Sequence, residues 1–183
     1  MMTWLIKNRL AAFEKRWGYD ASYLRELLET DPKAFWAFAK AVKMGDYRRD
    51  IPVEPYFAAK AIAVMHEDCG PCTQLGVGLA LAAGCTQTVI GNVIAGDDIA
   101  LPDDVRLAVQ FTRAVLAHSA EADPLRETII AKWGKRGLAS LALAITSARL
   151  YPTVKYALGF GKACTRVTVG ERQIVPHRAM VAA

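Results

Sequence analysis

Cys69-Gly70-Pro71-Cys72-Thr73-Gln74-Leu75-Gly76-Val77-Gly78-Leu79-Ala80-Leu81-Ala82-Ala83 sets two thiols immediately ahead of an apolar run. Nothing charged interrupts Leu75 to Ala83, which suits a buried helix. Pro71 fits the first helical position, where its missing N–H costs nothing, so Cys69 falls near the N-cap and Cys72 inside the first turn. Both sulfurs then lie close to unpaired backbone N–H groups, whose partial positive charge favours thiolate over thiol. The thiolate is the form that attacks peroxides and disulfides, so the motif reads as a redox dithiol. Two cysteines packed as small hydrophobes are the alternative. The turn-forming Gly-Pro and the preceding His66-Glu67-Asp68 point away from it. A zinc site needs two further Cys or His ligands at short spacing, and Cys85 and Cys164 stand alone, so neither a metal nor a cofactor is expected.

Working outward, helical spacing continues on both sides. Trp4, Ile6, Leu10, Phe13 and Trp17 share a face that Gly18 ends. Tyr19-Asp20-Ala21-Ser22-Tyr23 leads into Leu24, Leu27 and Leu28. Asp31 as N-cap with Pro32 at the first helical position starts the next helix. Gly45 to Asp50 is a polar break, after which a helix runs from Ile51-Pro52 to about His66. Beyond the dithiol, helices are expected to Gly84, over Gln87 to Ile94, from Leu101-Pro102 through Leu116, and from Asp123-Pro124. Gly134 and Gly137 bracket a turn, Leu138 to Ile145 is apolar nearly all round, and Tyr151-Pro152 breaks that helix. Cys164 to Val169 and Arg172 to Val175 flank Gly170-Glu171 and predict a short C-terminal hairpin. The fold class is therefore all-α, in one domain over 1–183: N-terminal helices 1–50, a core 51–160 and a tail 161–183.

The 183 residues carry a net charge of +5, with 53% hydrophobic and 22% charged residues, enough for a sizeable core. The basic residues are spread along the chain without aromatic interleaving, which gives nucleic-acid binding no local support. No segment reaches the about 18 apolar residues that span a bilayer, and Met1 to Ile6 is too short for a signal peptide's apolar region. A cytoplasmic chain is expected, in which a CxxC pair is reduced and reactive. No Gly-rich phosphate loop follows a strand. The tetrapeptide is similar to that of thioredoxins, but their fold needs strands around the motif, and here helical periodicity surrounds it.

From about Tyr56 to Tyr156 the chain resembles the carboxymuconolactone decarboxylase and alkylhydroperoxidase-D-like family. The likeness rests on an Ala-rich helix, the CxxC opening the next helix, Ala83-Gly84 ending it, Leu101-Pro-Asp-Asp-Val-Arg-Leu-Ala-Val-Gln-Phe-Thr-Arg113, and Trp133-Gly-Lys-Arg-Gly-Leu-Ala-Ser-Leu-Ala-Leu-Ala-Ile145. The resemblance implies an alkylhydroperoxidase-D-like helical bundle that assembles as a homo-oligomer (dimer, trimer or hexamer). It also implies thiol peroxidase or disulfide reductase activity. Redox members of the family carry a Glu twelve residues before the first cysteine and a His four after the second. Those positions here are Phe57 and Gly76.

His66 and Glu67 precede the dithiol at a helix junction and are the candidates for a displaced relay. Imidazole titrates near neutrality, which suits a general base, with Glu67 or Asp68 orienting it; the other reading is a solvated polar turn. Cys69, Cys72, His66 and Glu67 are thus the expected catalytic residues. The helix start favours Cys69 as the attacking thiol, and the family resemblance favours Cys72. The expected function is a thiol-dependent antioxidant peroxidase that takes a small-molecule hydroperoxide and is restored by a dithiol or thioredoxin-like reductant, with no nucleic-acid or membrane partner. The alternatives are a disulfide reductase and a non-catalytic redox sensor or helical assembly protein. Phe57, Trp36 and Phe111 are the aromatic residues expected around the substrate. Gln74 and Thr73 are read as solvated first-turn residues, Cys85 as packed, and His118 as a helix-end residue.

Overall fold

The computed structural model describes residues 2–163 and 165–177 and is all-α apart from one two-stranded hairpin. Helices α1 (Met2–Trp17), α2 (Ser22–Thr30) and α3 (Pro32–Val42) form an N-terminal layer, followed by a 3-10 turn over Lys43–Asp46. The core comprises α4 (Val53–His66), α5 (Gly70–Ala82), α6 (Gln87–Ala95), α7 (Asp103–Leu116) and the long α8 (Ala122–Ala157). Strands β1 (Val167–Val169) and β2 (Arg172–Ile174) pair antiparallel, Thr168 opposite Gln173, so the expected hairpin is present with Gly170-Glu171 as its turn. Cys164, from which that hairpin was expected to start, lies outside the described residues.

Local chemistry accounts for most boundaries. The Asp31 carboxylate accepts from Lys33 N at 2.8 Å, with Pro32 in the first turn, so both halves of the start signal operate at α3. At α6, Thr86 Oγ1 accepts from Val89 N at 3.3 Å, while the Glu54 carboxylate accepts from Thr86 N and Oγ1, each at 3.0 Å, tying α6 to α4. The α5 start differs by one residue from expectation: Gly70 opens the helix and Pro71 follows it, with Cys69 as N-cap.

Helix α8 departs from the sequence reading twice. The expected turn between Gly134 and Gly137 is a single kink at Gly134 (φ 67°, ψ 178°), and Gly137 is helical, packed against Trp133. Only a residue without Cβ adopts that conformation freely, so the kink falls there. Pro152 does not end the helix, which continues to Ala157. An interior proline forfeits one backbone hydrogen bond and costs ~3 kcal/mol. Continuing the helix presses Tyr151 and Val154 against the N-terminal layer and buries Lys155, and that packing outweighs the local preference.

Helix α4 is the central element, in contact with α5, α6, α7 and α8. Two apolar clusters result. The larger joins α4 to α8 with the hairpin; the smaller joins Leu10, Tyr19, Tyr23, Leu28 and Phe35 of the N-terminal layer. Leu75 of α5 and Tyr151 of α8 pack against the smaller cluster, and Gly78 lets the Trp17 ring lie directly on α5, since a Cβ there would meet the ring at 3.1 Å. The dithiol helix is therefore covered by the N-terminal layer. Among the described residues no helix is long and apolar enough to cross a membrane.

Candidate functional site

Between α4 and α5 the chain turns in three residues. Asp68 adopts φ 51°, a left-handed conformation that Asp tolerates better than most side chains. Tyr156 Oη donates to Asp68 O at 2.9 Å and Gly70 N donates to Lys162 O at 3.0 Å, so the end of α8 and the segment after it hold this turn. Cys69 O accepts from Thr73 N and from Thr73 Oγ1, each at 2.9 Å, which closes the first turn of α5. Cys69 and Cys72 are disulfide-bonded, with Cα atoms 5.3 Å apart. The pairing expected from the motif is present at the N-terminus of a helix.

Both sulfur-bearing residues are nearly sealed from solvent, Cys69 at 0% and Cys72 at 5% exposure. Cys72 lines a cavity of about 450 Å³ between the N-terminal layer and the core. Its walls are apolar and aromatic, with Phe13, Tyr19, Phe38, Phe57 and Tyr151 among them. Of the three aromatic residues expected around the thiols, Phe57 lines this cavity. Trp36 is 42% exposed on the outer face of α3, and Phe111 is buried within the larger cluster. Neither lines the cavity beside Cys72.

A phenol from the N-terminal layer lies beside the dithiol, at a position that no local sequence pattern indicated. Tyr19 Oη lies 3.8 Å from Cys72 Sγ and 3.4 Å from Tyr23 Oη. Burial pushes the Tyr19 phenol up to about 12, partly offset by its bond to Tyr23, and pushes Tyr23 further up still. Beneath them, Lys155 Nζ sits 4.6 Å from the Tyr19 ring centroid and 5.3 Å from that of Tyr23. Another ammonium, Lys60, lines the cavity from α4, donates to Gly45 O at 3.0 Å and stacks on Tyr56 and Phe57. Burial lowers the pKa of Lys60, with Asp46 acting in the opposite sense. Lys60 thus reaches the cavity shared with Cys72 from two turns back along α4.

The expected relay residues stand elsewhere. His66 ends α4, half-buried, and is not part of the cavity wall; Glu67 follows it and holds Arg149 Nε at 2.5 Å. Gln74, read as solvated, anchors the hairpin instead: Nε2 donates to Thr168 O at 3.0 Å and Oε1 accepts from Thr168 N at 2.7 Å. Thr73, read the same way, is buried. Cys85 is free and buried, its thiol pushed up to about 11 chiefly by desolvation, with the Glu54 charge adding to it. Among the described residues no cluster of three His, Cys, Asp or Glu side chains gathers as a metal site would.

Chemically, the arrangement offers a reducible sulfur pair at the wall of an apolar chamber, with a phenol proton within reach of one sulfur and ammonium groups close by. The Tyr19–Tyr23 spacing was visible in the sequence, as was a lysine one turn after Tyr151. Their convergence on Cys72 was not, because 53 residues separate Tyr19 from that cysteine. Comparison with protein families, with curated proteins and with solved structures finds no match for this chain.

Proposed function

We propose that the protein is a thiol peroxidase that reduces apolar organic hydroperoxides, with Cys72 as the attacking thiol and Cys69 as the resolving one. The observation that carries the proposal is the placement of Cys72, and not Cys69, at the wall of the apolar cavity. A chamber of about 450 Å³ falls in the range that holds small organic ligands. The family resemblance assigns the peroxide-reactive thiol to the same cysteine, and we place the chain in that family as a member with a different proton-handling residue set.

The chemistry follows from the pair. The Cys72 thiolate attacks the terminal oxygen of ROOH; the S–O bond forms, the O–O bond breaks, and ROH leaves after taking a proton. Cys69 then attacks the sulfenic sulfur, forming the disulfide and releasing water. An external dithiol supplies two electrons and two protons to restore the reduced pair. Near-complete burial of both sulfurs favours a small-molecule reductant over direct exchange with a folded protein's disulfide.

The test is hydroperoxide consumption under a dithiol donor, comparing hydrogen peroxide with a bulky aryl hydroperoxide. Expected are preference for the aryl substrate, complete loss in Cys72→Ser, and a single turnover in Cys69→Ser, whose sulfenic acid has no partner. His66→Ala separates the sequence-based relay from the cavity-based one: its position outside the cavity predicts less than about a tenfold loss, whereas a positioned general base would contribute ~10²-fold or more. A wild-type protein that consumes no hydroperoxide, while its disulfide opens and closes reversibly, would overturn the peroxidase reading in favour of thiol–disulfide exchange.

A further inference from the structure

Lys155 is the most deeply buried charged side chain among the described residues, at 1% exposure. No described residue accepts a hydrogen bond from its Nζ or forms an ion pair with it; its neighbours are the rings of Tyr19 and Tyr23. A buried ammonium without an anion is costly to maintain, and proteins rarely keep one without a use. The charged groups that act on it are few. Burial lowers its pKa above all; Asp20, just before α2, favours the charged form, but that carboxylate is exposed and turned to Ser22 N at 2.9 Å, and Lys162, just after α8, opposes it. The phenols against it, Tyr19 and Tyr23, are pushed up by burial, as is Tyr151 of the cavity wall, and all stay neutral at physiological pH. In the disulfide form, therefore, an amine with no counter-charge lies 4.6 Å from the centroid of the Tyr19 ring, whose hydroxyl is 3.8 Å from a sulfur that becomes an anion when the disulfide opens.

We propose that Lys155, acting through Tyr19, is the positioning residue that supplies the counter-charge for the Cys72 thiolate formed on reduction. The proposal rests on the reading of Cys69 and Cys72 as a redox dithiol. Reduction by an external dithiol R(SH)₂ breaks the Cys69–Cys72 bond and forms the S–S bond of the oxidised donor. Of the two protons that the donor gives up, one protonates Cys69 Sγ and the other goes to solvent, leaving Cys72 as thiolate. Tyr19 has one hydroxyl proton and two neighbours, the Tyr23 oxygen at 3.4 Å and Cys72 Sγ at 3.8 Å. Once the sulfur carries charge, that proton turns to it, and Tyr23 donates in its place to the Tyr19 oxygen. The ammonium then faces a phenol polarised toward an anion. Burial that is unfavourable for either charge alone is compensated for the two together. The same device fills the role of the family's Glu and His, whose positions here hold Phe57 and Gly76.

The experiment is a thiolate titration by absorbance at 240 nm in a Cys69→Ser background, with the Cys69→Ser/Cys72→Ser protein subtracted to remove the other thiols. Lys155→Met is expected to raise the Cys72 pKa by about one unit or more, a tenfold smaller thiolate fraction below the pKa. Tyr19→Phe, which keeps the ring and the packing, raises it in the same direction, and Lys155→Arg keeps it near the parent. With both cysteines present, Lys155→Met lowers the equilibrium constant for reduction of the disulfide by dithiothreitol at pH 7, by up to about tenfold for a one-unit shift. A purely structural lysine would change the melting temperature but leave the titration on that of the parent. Titrations of Lys155→Met and Tyr19→Phe that superimpose on the parent overturn the proposal. If Lys155→Met does not fold, as judged by circular dichroism, Tyr19→Phe alone decides in either direction. No peroxide enters this measurement, so a wild type inactive toward hydroperoxides would leave it standing, and an unshifted titration would leave the peroxidase reading standing.

Discussion

At the scale of the residue, the three described cysteines have different chemical fates because their surroundings differ. Cys69 and Cys72 occupy the start of α5, where the partial positive charge of the helix N-terminus favours the anion. Cys85 sits just past the end of the same helix, where no such field operates, and burial pushes its thiol up to about 11. Under about 1% thiolate is then present at pH 8. Cys85 is accordingly expected to resist alkylation in the folded protein and to react on addition of denaturant, while Cys85→Ala leaves dithiol chemistry unchanged; timed alkylation read by mass spectrometry checks both. The thiol pair was legible as a redox motif from four residues alone. Its polar surroundings were not, since His66 and Glu67 were the polar residues adjacent in sequence, whereas in space Tyr19 lies beside Cys72 and Lys155 lies against the Tyr19 ring.

At the scale of the element, starts and stops follow local rules where a cap or a glycine is present, and tertiary packing overrides them where apolar area is at stake. Asp31 with Pro32 begins α3 as the sequence indicates. Pro152 fails to end α8 because Tyr151, Val154 and Lys155 are needed against the N-terminal layer. Gly134 is the position at which α8 bends, with φ 67° and open space where a Cβ would project. Gly134→Ala is therefore expected to destabilise the protein by about 1 kcal/mol or somewhat more through backbone strain and not through a clash. Urea unfolding checks it. An unchanged midpoint would mean that α8 can straighten without loss of its contacts.

At the scale of the whole molecule, the N-terminal layer and the core meet over a seam rich in buried phenols, and this sets the response to alkali. Tyr19, Tyr56 and Tyr151 each have a pKa raised from 10.0 to about 12, chiefly by desolvation. A pKa raised in the folded state means that the neutral phenol is favoured there; the stability this contributes is complete below about pH 10 and lost as pH rises through about 12. Urea midpoints should thus show no tyrosine-linked change between pH 7 and 9 and fall steeply from pH 10 upward, with tyrosinate absorbance at 295 nm appearing only as the protein unfolds. Tyrosinate that appears at pH 10 in a still-folded protein would show that these phenols are solvated. The sequence by itself determined the helices, the hairpin and the dithiol at the start of α5, because periodicity, capping and turn chemistry act over three or four residues. Only the tertiary structure decided that Tyr19 meets Cys72, with Tyr23 and Lys155 packed against Tyr19, and that an apolar chamber opens beside them. Apolar burial, which joins the two layers, is non-directional, and no local pattern records which faces it will bring together.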